Sequence, residues 1–314
     1  MRGFIRACAV GALALVLDSK SLHAISAFTK PKVDTSDVKR GWELDLNRLS
    51  LNFSQSSLTN QNLYKKFSDS NLKGNSQLSL QFFLTLNAIY YARRFVIINS
   101  MAIEYGFTEV KKDNEDAVRN KNLDKFLLST DYTQRVWEFD WGFESFEVGP
   151  YVKFSYQTEF TPPEDIGRKQ NFIYMFGAKL FDGTYIKGLY MNVFGEHDAN
   201  PRIGLNSLGL EMGVELEYKF NENVKFLYLT SYKHYLFHGE DSVVKPQYQL
   251  LIETRINAKL FKGFSIAPML RYYLIEARDI KVPASNLVIG VSFSFKKILM
   301  NSNKATKGAY DFSN

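Results

Sequence analysis

Between Leu208 and Phe220 the chain alternates with a strictness that few folds accommodate. Leu208, Leu210, Met212, Val214, Leu216, Tyr218 and Phe220 share one face of an extended strand, because side chains in a strand alternate with period two. Gly209, Glu211, Gly213, Glu215, Glu217 and Lys219 share the other. A helix would scatter these charges around its circumference. One face requires hydrocarbon and the other requires water. The same demand recurs along most of the chain.

Trp42, Leu44 and Leu46 alternate, and the phase slips near Asn47-Arg48 before Leu49, Leu51 and Phe53 resume it, the signature of a β-bulge. Further alternating runs follow at residues 78–91, 95–105, 122–137, 148–160, 172–181, 185–195, 208–220, 224–238, 248–260, 264–278 and 286–296. Residues 54–74 are rich in Ser, Asn and Lys and read as a long loop, and 138–147 reads as a turn. Asp182-Gly183 and Lys262-Gly263 are tight-turn signals. The 18 Tyr and 26 Phe against 8 Pro favour strands throughout.

About twelve strands result, and their connections alternate between tight turns and longer polar loops. Hydrocarbon offers no partner to a free sheet edge, so a sheet crossing a bilayer must close. The expected fold is all-β, a transmembrane antiparallel up-and-down β-barrel over residues 41–297. A soluble sandwich would also alternate, but with an apolar inner face and shorter strands. The slightly negative mean hydropathy argues against a bundle of membrane helices. The net charge of +6 is spread along the chain and points to no nucleic-acid partner.

Arg2 and Arg6 precede an apolar run from Ala7 to Leu17, followed by Leu22-His23-Ala24, so residues 1–24 are expected to be a cleaved signal peptide. The run is too short to span a bilayer, which takes about 20 residues. Cys8 is the only cysteine, so the mature chain would hold no disulfide. Residues 25–40 read as a periplasmic lead and 298–314 as a C-terminal tail behind a terminal Phe295.

Leu49-Ser50-Leu51-Asn52-Phe53-Ser54-Gln55-Ser56-Ser57-Leu58-Thr59-Asn60 resembles the opening pattern of a family of Gram-negative outer-membrane β-barrels known only as a domain of unknown function. Asn75–Leu80, Leu127–Tyr132 and Gln157–Phe160 are similar to its later blocks, so the resemblance spans roughly residues 42–163. The family has Trp and a Gly-Gly pair after the Asn at Asn60, where this chain has Gln61-Asn62. The resemblance implies an outer-membrane location and a barrel, and no known activity.

In a barrel the polar face lines the lumen. The lining expected from the clearest strands is Glu211, Glu215, Glu217, Lys219, Lys225, Lys233, Glu253, Arg255, Lys259 and Arg271. Glu43, Asp45, Gln81, Asn87, Glu104, Lys153, Gln157, Glu159 and Lys179 extend it elsewhere. Opposite signs on neighbouring strands suit cross-strand pairs. Such a lining either braces the wall or selects charged solutes, and in a bore this narrow both readings stand. A narrow pore for small polar solutes is the leading expectation, with a closed structural or surface-recognition barrel as the alternative.

A lipid hydrolase would need a nucleophile within reach of a base. His234 and His238 read as lipid-facing, Ser231 alternates away from His234, and no Gly-x-Ser-x-Gly elbow is present. No catalytic residue is assigned. Glu196, His197 and Asp198 in one loop, with His238, Glu240 and Asp241 in the next, read as solvated polar loops rather than metal ligands, so no metal or cofactor is expected. Tyr90, Tyr91, Tyr156, Tyr218, Tyr232, Tyr235, Tyr272 and Tyr273 read as interfacial girdles. The expected surroundings are outer-membrane lipid and lipopolysaccharide, with the barrel assembly machinery as partner during biogenesis.

Overall fold

The computed structural model describes residues 40–67, 70–72, 78–110, 118–141, 144–161, 167–181, 183–200, 206–239 and 245–302. The expected signal peptide, the lead to residue 39 and the tail beyond 302 lie outside the described residues.

The alternating runs become strands: β1 Gly41–Thr59, β2 Leu78–Tyr91, β3 Phe95–Val110, β4 Val118–Gln134, β5 Trp137–Asp140, β6 Ser145–Thr158 and β7 Gln170–Phe181. They continue as β8 Ile186–Asp198, β9 Asn206–Lys219, β10 Val224–His238, β11 Pro246–Phe261, β12 Phe264–Ala277 and β13 Ala284–Asn301. Neighbours in the chain pair antiparallel except β4 and β5, β13 pairs with β1, and β4 pairs with β6. The circuit of long strands is therefore closed. The short β5 continues the line of β4 along β6, so the circuit has twelve staves although thirteen strands are present. Among the described residues no helix is long and apolar enough to cross a membrane.

The wall is inside-out relative to a soluble barrel. Phe176 and Met191 on the outer face are 65% and 63% exposed, whereas the inward Asn52 and Ser292 are 0% exposed. In β9 the outward Leu208, Leu210, Met212 and Tyr218 are exposed, and the inward Ser207 and Glu211 are buried. An apolar exterior on a sheet whose backbone groups are all paired around the circuit is the arrangement hydrocarbon tolerates.

One end of the barrel carries the tight connections 92–94, 182–185, 220–223 and 262–263, together with Gly41 and Asn301. The other end carries the longer ones. Strand boundaries differ from the sequence reading at several places, four of which bear on the site. β1 runs on to Thr59 because Ser54 and Ser56 are its buried inward residues, a composition easily mistaken for loop. β13 runs to Asn301, which pairs with Glu43, so the strand passes the expected end at 297. β8 runs to Asp198, so Glu196, His197 and Asp198 belong to the wall rather than to a loop. Where a turn was expected at 138–147, β5 forms a hairpin with β6. Between Gln134 and Trp137 the edge bulges, and a Cβ on Gly149 would lie 1.5 Å from the Gln134 carbonyl oxygen, so only glycine fits there. Arg135, buried at this bulge, is held by the Glu147 carboxylate.

Candidate functional site

Two charged clusters occupy facing walls of the bore, and the register explains both. In the β1–β13 and β1–β2 ladders the register shifts between Leu46 and Leu49 and between Leu46 and Arg48. Glu43 and Asp45 point inward before this bulge, and Arg48, Ser50 and Asn52 point inward after it. The extra residue aims Arg48 into the lumen.

There Arg48 donates from Nε to Ser50 Oγ at 2.9 Å and lies 4.3 Å over the Phe83 ring. Its Nη1 is 4.0 Å from Glu253 Oε1. Arg255 Nε is 2.8 Å from the same oxygen, and Arg271 Nε is 3.9 Å from Glu253 Oε2. Three guanidiniums from β1, β11 and β12 thus share one carboxylate. Glu104 does not relieve the surplus, because Lys125 Nζ pairs with it at 3.0 Å.

The facing wall is balanced. Lys179 Nζ pairs with Asp131 at 2.9 Å, and Lys233 Nζ pairs with Glu196 at 2.6 Å while lying 4.8 Å over the Phe194 ring. Glu211 accepts from Tyr190 at 3.0 Å and from Ser231 at 3.2 Å. Asn192 donates to the Tyr151 hydroxyl at 2.6 Å. Gly209 and Gly213 make this packing fit: a Cβ on either would lie 2.6 Å from Phe194 Cζ or 2.4 Å from Tyr190 Cζ. The two glycines in the alternating stretch are sockets for aromatic rings from β8.

The first long connection folds into the loop end of the bore. It leaves β1 through Asn60, at a φ of 58°, and forms 3-10 turns at Gln61–Phe67 and Ser70–Leu72. The Tyr64 hydroxyl donates to the Val282 carbonyl at 2.8 Å and accepts from the Ala277 N–H at 3.3 Å. Tyr64 and Leu72 are buried against Tyr273, Ile275, Ala277 and Ala284. Arg271 Nη2 donates to Asn71 Oδ1 at 3.0 Å, and Asn286 donates to the Asn71 carbonyl at 2.6 Å. The Ser70–Leu72 turn touches both β13 and β4, strands separated in the wall by β1, β2 and β3, so it reaches across part of the lumen.

At the turn end, Ile89, Tyr91, Val96 and Phe181 make a small apolar cluster between β2, β3 and β7. On the opposite side the inward positions stay open: Glu215, Lys219 and Lys259 are exposed and Leu229 is 37% exposed.

All ten residues expected to line the lumen occupy inward register positions. Glu253, Arg255 and Arg271 meet at the arginine cluster, and Glu211 and Lys233 lie on the facing wall. Lys225 pairs with Glu217 at 2.9 Å near the turn end, where Glu215, Lys219 and Lys259 also lie. Sequence reasoning missed Arg48, Asn71, Asp131 and Glu196. The phase slip at Asn47-Arg48 marked Arg48, and an extra turn of alternation beyond Gly195 would have marked Glu196.

Tyr91, Tyr235 and Tyr273 are 8%, 1% and 5% exposed and face inward, which removes them from the expected girdles. His238 also differs from expectation. A register shift between Tyr235 and Phe237 turns it inward, where it stacks on Tyr235 and its Nε2 lies 2.6 Å from the Pro246 carbonyl oxygen. Ser231 points to Glu211 in the lumen, while His234 keeps to the outer face beside Tyr232.

A closed antiparallel barrel with an apolar outside and a charged inside is a transmembrane β-barrel. No family model and no curated protein matches the chain. Among solved structures it is similar to outer membrane phospholipase A from Escherichia coli, at 9% identity and TM-score 0.45 over 80% of this chain and 97% of that one. The outer membrane channel DcaP of Acinetobacter baumannii matches at 7% identity and TM-score 0.40, over 82% and 96%. OprB of Pseudomonas putida matches at 8% and 0.35, over 82% and 94%. Likenesses this distant assign neither family nor activity.

Proposed function

We propose that the chain is an outer-membrane β-barrel acting as a narrow pore for small polar solutes. The observation that carries this reading is the charged inward face, which stays exposed at Glu215, Lys219 and Lys259 beside the tight turns. A barrel that only braces itself would pack that side as it packs the facing wall. Bacterial outer-membrane barrels keep short turns on the periplasmic side and long loops outside. By that rule the open side faces the periplasm and the folded first loop faces the exterior. Lipopolysaccharide around the apolar belt, the barrel assembly machinery as a biogenesis partner and membership of the uncharacterised family belong to the same proposal. No catalytic step is assigned, since Ser231 and His234 lie on opposite sides of the wall.

The alternative, a closed structural or recognition barrel, draws support from Tyr64 and Leu72, which pack into the loop end against β12 and β13. Osmotic swelling of proteoliposomes separates the two. The pore reading expects glycine and arabinose to swell them faster than protein-free liposomes. Equal rates, with the barrel correctly folded, would sink it.

A further inference from the structure

The arginine cluster has more cations than its own carboxylates can satisfy. Arg48, Arg255 and Arg271 converge on Glu253, and Glu104, the other carboxylate within their reach, is paired with Lys125, so four cations share two carboxylates and a surplus of two positive charges remains. The facing wall shows no such excess, since Lys179 and Lys233 each hold a carboxylate. Arg271 Nε is buried and has no hydrogen-bond partner, being 3.9 Å from Glu253. Arg48 hydrogen-bonds through Nε, and its Nη1 lies 4.0 Å from Glu253 Oε1, too far for a hydrogen bond, so its terminal nitrogens keep donor capacity. Taking guanidiniums out of water without matching acceptors is costly. A structural brace would not need three of them.

The position is as informative as the charge. Arg48, Glu253 and Arg271 lie near the middle of β1, β11 and β12, so the cluster sits at mid-depth in the bore. Their side chains are 13–17% exposed, far less than the open inward face beside the turns. Above them Asn71 of the inward-folded loop accepts from Arg271, so the loop borders the cluster. Phe83 and Ser50 hold Arg48 in place. Guanidinium forks match the planar, two-oxygen geometry of a carboxylate, and in a low-dielectric waist such pairs are stronger than in water.

We propose that Arg48, Arg255 and Arg271 form a binding site for small organic carboxylates at the waist of the barrel, and that the pore is selective for them. Glu253 keeps the three guanidiniums together and limits their affinity, so that a solute is recognised and then released. The inference rests on the pore reading for transport but not for binding.

Titration calorimetry of the full chain in detergent with malonate tests the site. Saturable binding is expected, and Arg255→Gln or Arg271→Gln weakens it by roughly tenfold each, the loss expected of one charge-assisted contact. Lys262→Gln in the β11–β12 turn leaves binding unchanged. Heat-modifiable migration of each variant shows that the barrel has folded. Absence of saturable malonate binding by folded wild type, or equal binding by the arginine variants, overturns the site. Inorganic phosphate binding as tightly as malonate overturns the carboxylate assignment. Reversal potentials in a potassium chloride gradient test transport separately. Anion preference that falls in Arg255→Gln supports selectivity, and preference unchanged by the variant overturns it. Malonate binding without any conductance keeps the site and removes the pore.

Discussion

Gly209 and Gly213 look like weak points in a strand, yet each leaves room for a ring that the wall needs. The Tyr190 ring lies where a side chain on Gly213 would be, and its hydroxyl donates to Glu211 at 3.0 Å. Gly213→Val should therefore force Tyr190 off its site and destabilise the barrel by about 1–3 kcal/mol, the range for overpacking, measured by urea unfolding in liposomes. Gly195 has only the Ser207 carbonyl near, at 3.9 Å, so Gly195→Ala should unfold like wild type. On the other face of the same strand, Met212 is 51% exposed toward lipid. Met212→Lys should cost about 2–4 kcal/mol if it lies near the bilayer midplane, and the same unfolding assay reads it. An unchanged midpoint would mean that this face does not meet hydrocarbon. Arg48 shows how one residue of slip matters. Without the bulge, Asn47 would face the lumen and Arg48 the lipid.

At the scale of elements, the strands were legible because each carries its own period-two signal, independent of its partners. Twelve runs read from alternation reappear in the barrel, and the bulge near Asn47-Arg48 appears in both β1 ladders. Legibility failed where the inward residues are small and polar. Ser54 and Ser56 resemble loop, and so do Glu196 and Asp198, although all four are buried in strands. It failed again where a bulge reverses the parity, as at Tyr235–Phe237, which sends His238 inward. The folded first loop could not be read from local pattern at all. Its anchors Tyr64 and Asn71 meet partners 200 or more positions away, at Val282, Ala277 and Arg271. If this loop narrows the bore, Tyr64→Ala combined with Asn71→Ala should raise the single-channel conductance while leaving heat-modifiable migration intact. Unchanged conductance would show that the loop lies clear of the solute path.

At the scale of the whole molecule, closure turns two kinds of face into two environments. Because β13 pairs with β1 and β4 with β6, every outward side chain shares one apolar belt and every inward one shares a single bore. The charges of that bore are unevenly matched: balanced on the β4–β10 wall and in excess at Arg48, Arg255 and Arg271. The end with the tight turns is partly open, and at the other end the Ser70–Leu72 turn reaches across part of the lumen. Whether water and small solutes pass between them decides the account. Conductance of the purified, heat-modifiable protein in planar lipid bilayers measures this directly. Discrete current steps that vanish in protein-free controls are the predicted result. A folded barrel that adds no conductance to the bilayer would contradict it.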